Sequence, residues 1–271
     1  CAIYNDCDTY FISEGPVNVY DNPVFTDCTF IENLAESGGG IYNNKCNPTL
    51  TKCTFVWNIA GLQGGGIYNY YSSLLLESCL FAFNVAGSDG GAIVNSYNCS
   101  STITNCIFSN NIAESLGGGL YNRSSSTVTN CIFTGNYAYS GGGGITNYYN
   151  SKSTITGCTF SENTTDFQGA GIYNTSTSTI TNSKFSENVA EFSGGGIYNT
   201  KKTIITNCIF SRNTAARNKG GGIYTGSNAS LSNCTFTENV SPYGNAIYCL
   251  PSGLPGGTGS ISILELTNSI L

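Results

Sequence analysis

Residues 158–163 read C-T-F-S-E-N and residues 194–199 read G-G-G-I-Y-N, and alternating copies of these two motifs organise most of the chain. The F-x-x-N half of the first motif occurs nine times, and its Phe recurs every 25 to 27 residues. A Cys stands two places before that Phe in eight copies, and Ser183 replaces it in the ninth. A repeat of nearly constant length predicts a solenoid or a related repeat fold.

The content of one repeat predicts strands. Each repeat has short β-branched runs, such as S-T-I-T at residues 153–156, that are separated by Gly triplets and Asn. No segment shows the 3.6-residue apolar period of a helix, and a propeller blade needs roughly 40 residues. We therefore predict an all-β fold over residues 1–271 in a single domain. Each repeat would form one coil of three short strands in a single-stranded parallel β-helix of about ten coils, spaced ~4.8 Å apart.

The parity of a strand predicts which side chains fill the bore. Cys and Phe of C-x-F share parity and are expected inside, as is the Ile of G-I-Y-N. A bend must separate the Phe from the Asn of F-x-x-N, which suits Asn because it tolerates the left-handed conformation. Stacked Asn side chains predict an amide ladder. The Gly triplets are expected to supply positive φ. The Tyr after the Ile, for example Tyr198, is expected to form an outward-facing aromatic stack.

The composition limits the cellular locations and the classes of partner to be expected. Charged residues are only 10% of the chain, the net charge is −6, and both His and Met are absent. So few charges favour a β-rich extracellular or cell-surface protein. No basic run or long apolar run occurs, so we predict neither a nucleic-acid partner nor a membrane span. The lack of Met predicts a processed product or a fragment.

The two motifs resemble the repeats of a known family. Repeats that pair GGA(I/L/V) with FxxN typify the passenger regions of chlamydial polymorphic outer-membrane proteins, and the chain resembles them over roughly residues 25–250. The literal G-G-A-I occurs once, at residues 90–93, and most copies read G-G-G. The resemblance implies a right-handed, pectin-lyase-like parallel β-helix that is displayed on a cell surface and acts in adhesion.

Two insertions break the period. They span residues 5–24 and 249–265, contain Pro, and are expected to form caps or protruding loops. The sequence starts and stops within a coil, which would leave open strand edges at both ends. We therefore expect copies of the chain to stack head to tail into an extracellular filament.

Thirteen cysteines occur without a C-x-x-C pair, so zinc is not expected. The eight cysteines of the C-x-F motif are predicted to form a buried, mostly reduced stack. Cys7 and Cys46 form the preferred disulfide, because they lie four and five residues after equivalent isoleucines of adjacent coils. Cys1 as a lipid-anchored residue is an alternative reading of the first position.

Carboxylates provide the candidate sites. One group occupies equivalent positions of two coils and is a candidate Ca²⁺ site, a catalytic pair or a solvated acidic edge: Glu162, Asp166, Glu187 and Glu191. A second candidate group lies near the first insertion: Asp6, Asp8 and Asp21. No long central loop is available to build a cleft. We therefore predict no catalytic residues and no cofactor.

Two functions of different class remain. The first is a structural or adhesive surface solenoid whose partners are copies of itself or host or matrix glycans. The alternative is a polysaccharide-binding module or a carbohydrate-active enzyme of the pectin-lyase-like type, with the Tyr stack as a sugar platform. The uniform coils favour the first hypothesis, so we expect a protein that is not an enzyme.

Overall fold

The computed structural model describes residues 3–6, 10–12, 15–17, 22–149, 151–250, 264–267 and 269–270. These residues form a right-handed parallel β-solenoid in which the full coils each contribute one strand to four sheets. The sheets are named A to D in the order in which a coil meets them. The prediction of an all-β parallel β-helix is confirmed, but the prediction of three strands per coil is wrong. The fourth strand has only two residues, too few to show a periodicity.

Sheets A and B have ten strands each in the described part of the chain. The strands of sheet A are Ile3–Asp6, Ile41–Asn44, Ile67–Tyr70, Ile93–Ser96, Leu120–Asn122, Ile145–Asn147, Ile172–Asn174, Ile197–Asn199, Ile223–Thr225 and Ile247–Cys249. The strands of sheet B are Val24–Thr26, Thr49–Thr51, Leu75–Glu77, Ser100–Thr104, Ser125–Thr129, Lys152–Thr156, Thr177–Thr181, Thr203–Thr206, Ala229–Ser232 and Leu264–Thr267.

Within the same residues, sheet C has nine strands and sheet D has eight. The strands of sheet C are Thr29–Ile31, Thr54–Val56, Leu80–Ala82, Ile107–Ser109, Ile132–Thr134, Thr159–Ser161, Lys184–Ser186, Ile209–Ser211 and Thr235–Thr237. The strands of sheet D are Leu34–Ala35, Ile59–Ala60, Val85–Ala86, Ile112–Ala113, Tyr137–Ala138, Thr164–Thr165, Val189–Ala190 and Thr214–Ala215.

The register places the same motif position of each coil above the last, so that Phe81 pairs with Phe108 and Ile67 with Ile93. The Phe rings stack in the bore with centroids 4.5 to 5.1 Å apart and planes within 7° of parallel. Seven of these rings are fully buried. Burying one such side chain stabilises a fold by about 1.5–3 kcal/mol. The inward assignment of the Phe and Ile positions is confirmed.

The bends depend on residues with positive φ. The first Gly of the triplet has this conformation, as predicted: Gly194 has a φ of 69°, and a Cβ there would lie 2.4 Å from the carbonyl oxygen of Ile197. At the bend between sheets C and D, the residue before the ladder Asn adopts it instead of the Asn. Glu162 and Glu187, for example, have φ of 56° and 59°. The ladder Asn is buried instead, and its side chain forms hydrogen bonds with neighbouring coils.

The insertions are described only in part. Within residues 5–24, the strands Tyr10–Ile12 and Gly15–Val17 pair in antiparallel fashion. Most of the second insertion, residues 249–265, lies outside the described residues. After it the coil resumes in register, as shown by the Cys234 backbone N–H, which donates to Ser269 Oγ over 3.3 Å. Ser269 therefore occupies the position of the motif Cys, as the spacing predicts. That residues 1–271 form a single domain stays a prediction.

Candidate binding surfaces

The Asn residues of F-x-x-N form the predicted ladder inside the solenoid. Each Nδ2 atom donates to the Oδ1 atom of the next coil over 2.8 to 3.0 Å, without a break from Asn33 to Asn239. The inner members are completely buried. Buried amides that are fully hydrogen-bonded specify one register between coils.

A second amide ladder, which was not predicted, follows the Ile of sheet A. Asn43 donates to Asn69 over 2.7 Å, and Asn69 donates to Asn95 over 2.9 Å. The ladder continues through Asn122 to Asn147 and resumes at Asn174. Because each of these Asn residues lies two places after an inward Ile, or after Leu120 in the case of Asn122, strand parity could have predicted this ladder. Both ladders lie inside the solenoid and are therefore architectural.

The thiols of the C-x-F motif form the predicted buried, reduced stack. Ten cysteines are free in the described residues, and seven of the eight motif cysteines are buried. At Cys53, Cys79, Cys106 and Cys131 the backbone N–H donates to the sulfur of the next coil, over 3.3 to 3.4 Å. Cys46 is disulfide-bonded. Its predicted partner, Cys7, lies outside the described residues, as does Cys1.

The tyrosines after the Ile stack as predicted but are less exposed than predicted. Tyr198 and Tyr224 stack with centroids 4.7 Å apart, and both are half-buried. Tyr121 is buried, so the prediction of a surface stack is wrong at this position. The Gly-triplet bend packs against this face of sheet A: a Cβ at Gly117 would lie 2.9 Å from the Cβ of Tyr121. Burial raises the pKa of Tyr121 and of Tyr198.

The carboxylates of the predicted calcium site lie on the surface near the bend between sheets C and D. Arg212 Nη2 pairs with Glu187 Oε1 at 2.7 Å, and Arg217 Nε pairs with Glu191 Oε2 at 2.8 Å. Such exposed ion pairs contribute about 0–1 kcal/mol. Glu162 and Asp166 are exposed in the preceding coil.

The described residues contain no group of three or more His, Cys, Asp or Glu placed to hold a metal ion. The structure therefore does not bring the four carboxylates together, and calcium binding stays a prediction. In the second candidate group, Asp8, Asp21 and the side chain of Asp6 lie outside the described residues.

A cleft that was not predicted opens where sheet A bends into sheet B. It has a volume of about 440 Å³, and its lining includes Tyr97, Asn98, Arg123 and Tyr149. Arg123 Nη1 donates to the Tyr97 hydroxyl over 3.2 Å, and the guanidinium carbon lies 4.6 Å from the centre of that ring. The cleft therefore combines a cation with exposed aromatic rings, the kind of lining that ligand sites use.

The cleft continues along the solenoid as two smaller depressions of about 290 and 280 Å³. Lys152 lines both of them, and Lys201 lines the second, together with Tyr149. We call the set Arg123, Lys152, Lys201 and Lys202 the basic edge. These residues are distant in sequence and share no motif. They lie one to five residues after the Asn of sheet A, however, so an alignment of the bends would have found them.

Comparison with known proteins agrees with this architecture. Residues 39–210 match the family described as right handed beta helix region, and an overlapping match covers residues 94–254. Together these matches span well over half of the chain. The chain belongs to the right-handed β-helix family. In this β-helix, residues 27–44 also match the Chlamydia polymorphic membrane protein repeat. This stretch contains F-I-E-N at residues 30–33 and G-G-G-I at residues 38–41, so the resemblance is confirmed.

No curated protein and no solved structure matches this chain. In the part of the chain that the structure describes, no helix has the length and apolar character needed to cross a membrane.

Proposed function

We propose that this β-helix is a surface-displayed passenger whose sides bind other molecules and which catalyses no reaction. The observation that carries the proposal is the repeat. The stretch that matches a membrane-protein repeat, residues 27–44, contains the F-x-x-N motif that recurs in all nine coils of sheet C. A function that used one catalytic site would not require nine copies of one unit, whereas a rod that presents a long surface does.

The packing supports this role. Two buried amide ladders and a continuous Phe stack hold the coils in one register. Sheets A and B have ten strands each in the described residues, so at ~4.8 Å per strand they span about 45 Å. A rigid rod of this kind holds binding surfaces away from the cell without a loss of order.

The test is surface display together with adhesion. Antibodies raised against the purified chain should label intact cells of the source organism, and beads coated with the chain should attach to host-cell or matrix layers. Beads coated with the heat-denatured chain are the control. Labelling that requires permeabilised cells would contradict surface display, and equal attachment of both kinds of bead would contradict a specific adhesive role.

Head-to-tail self-assembly is a second part of the proposal. Within the described residues, the two edge strands of sheet A, Ile3–Asp6 and Ile247–Cys249, both begin with Ile-Tyr. One end of the rod can therefore continue the columns of the other. Electron micrographs should then show filaments with an axial repeat of roughly 45–50 Å. A strictly monomeric mass at high concentration would contradict assembly.

A role in polysaccharide binding or cleavage is the alternative, and the cleft beside Arg123 favours binding. Cleavage would produce new reducing ends when the chain is incubated with a polysaccharide. We expect none, because the two best-placed carboxylates, Glu187 and Glu191, are ion-paired.

A further inference from the structure

The basic edge is unusual for an acidic chain. The bends that join sheet A to sheet B carry basic side chains, and Lys152 directly follows one of them. The eight bends between the two insertions contain no Asp or Glu: residues 45–48, 71–74, 97–99, 123–124, 148–151, 175–176, 200–202 and 226–228. The whole chain has 16 acidic residues against 10 basic residues. In these eight bends every charged side chain is basic, which leaves this part of the edge locally positive, whereas the first insertion contains Asp8, Glu14 and Asp21.

The cations of the basic edge lack the ion pairs that Arg212 and Arg217 have. Arg212 and Arg217 each pair with a glutamate. Among the described residues, no carboxylate lies within ion-pair distance of Arg123, Lys152, Lys201 or Lys202. An anion that binds at this edge would therefore not have to displace an existing ion pair.

Arg123 is held in place before any ligand arrives. Its guanidinium lies over the Tyr97 ring and uses one N–H for the Tyr97 hydroxyl. The backbone N–H of Arg123 donates to the Asn95 carbonyl over 2.8 Å, which fixes the start of its side chain. A guanidinium has five N–H donors in a planar fork that matches a carboxylate. Donors remain for a ligand, and little side-chain entropy is lost on binding.

Exposed tyrosines flank this guanidinium on both sides. Tyr71 and Tyr97 stack with centroids 5.8 Å apart, and both are more than 40% exposed. Tyr149, on the other side of the cleft, is 65% exposed. Aromatic faces offer apolar contact area to sugar rings, while the phenol hydroxyls bond with sugar hydroxyls. Phosphate groups of nucleic acid would need more cations, since protein–DNA sites typically contact about 6–10 phosphates.

We propose that the basic edge binds a linear polysaccharide that carries carboxylate groups, with Arg123 holding one carboxylate between Tyr97 and Tyr149. The sugar chain would run along the solenoid axis toward Lys152 and Lys201. The coils that carry Arg123 and Lys152 are adjacent and lie ~4.8 Å apart, close to the length of one sugar unit, so neighbouring carboxylates can meet these two cations. Lys201 and Lys202 lie two coils further along. This inference rests on the proposed binding role of the surface-displayed rod and names its ligand.

The test is a binding titration of the full chain with three probes: polygalacturonate, neutral dextran and dextran sulfate. We expect polygalacturonate to bind, salt to weaken it, and neutral dextran not to bind. R123Q should lower the affinity for polygalacturonate by about tenfold or more, the loss expected when charge-assisted hydrogen bonds are removed. Y149A should also lower it. R123K, which keeps the charge but loses the fork, should restore only part of the affinity.

The matched control is R217Q, which removes the same charge from an arginine that is already paired with Glu191. R217Q should leave the affinity unchanged, and the thermal melts of the variants should match the parent. Equal losses in R123Q and R217Q, tighter binding of dextran sulfate, or no binding of polygalacturonate would each overturn the proposal. Surface labelling of intact cells is read separately. If cells are labelled but polygalacturonate does not bind, the ligand assignment fails while surface display stands.

Discussion

Asn136 and Asn163 are joined by a buried amide hydrogen bond in which Asn136 Nδ2 donates to Asn163 Oδ1 over 3.0 Å. The second Nδ2 proton is donated to the Phe108 carbonyl over 2.9 Å. Asn136 Oδ1 accepts from both the backbone N–H and the Nδ2 group of Asn111. The amide thus has two donors and two acceptor positions, all of them filled. An Asp would lack the donors, and a Gln would not fit the spacing between coils.

We predict that N136A destabilises the protein by about 1–3 kcal/mol, because the Asn111 and Asn163 amides would each lose a buried partner. The free energy of unfolding from denaturant titration measures this change. The control is T134A, in the same coil but outside the bore, which should cost under about 0.5 kcal/mol. Equal losses in the two variants would show that the ladder contributes no more than a surface hydroxyl.

Substitutions at the positive-φ position before the ladder Asn should change the stability of the protein in opposite directions in two coils. Gly135 and Glu162 occupy this position in adjacent coils, with φ of 63° and 56°. A side chain in the left-handed region costs roughly 1–2 kcal/mol. G135A should therefore destabilise by about 1 kcal/mol, and E162G should stabilise by about 0.5–1 kcal/mol after the entropy of the unfolded Gly is included. Differential scanning calorimetry would show melting temperatures that move in opposite directions. Shifts of the same sign would contradict the backbone assignment.

The side chains that fill the bore could be predicted because strand parity, which is a weak rule for one residue, becomes reliable when the same pattern repeats. Parity at a single Phe or Asn predicts little, but the same parity in nine coils leaves one consistent arrangement. The burial of Tyr121 could not be predicted in this way. It depends on where the Gly-triplet bend lies relative to sheet A, and parity along one strand has no information about a neighbouring bend.

The basic edge was hidden for a different reason. The eight bends from sheet A to sheet B that lie between the two insertions vary from two to four residues, so Arg123 and Lys201 do not align with any fixed motif position. Their closeness appears only once the register of sheets A and B is known. The predicted calcium group shows the opposite case. Equivalent positions did place Glu162 beside Glu187, but the next coil supplied Arg212 and Arg217, which the charge count alone could not assign to partners.

Calcium binding by the acidic edge can be tested through its ion pairs. Because Arg212 and Arg217 hold Glu187 and Glu191, we expect a chelator to leave the melting temperature unchanged. The R212Q/R217Q variant frees both carboxylates, so Ca²⁺ should raise its melting temperature more than that of the parent. The same variant with E187Q and E191Q added is the control and should not respond. A chelator that lowers the melting temperature of the parent would show that a site exists despite the ion pairs.

Buried thiols should make the fold sensitive to alkaline pH. Burial raises the pKa of Cys53 and of Cys99 to about 11, above the value of about 8.5 of an unfolded thiol. Between these values the unfolded chain loses protons that the folded chain keeps. The free energy of unfolding should therefore fall as the pH rises from about 8.5 to 11. Serine fits both positions. Ser183 occupies the motif-Cys position in a later coil, Ser72 occupies the position of Cys99 in the preceding coil, and each accepts a backbone N–H bond as a cysteine sulfur does. Thermal melts of a C53S/C99S variant across this range should show a shallower fall than the parent, since serine does not ionise there. Parallel curves would mean that these thiols titrate alike in both states and do not contribute to the pH dependence.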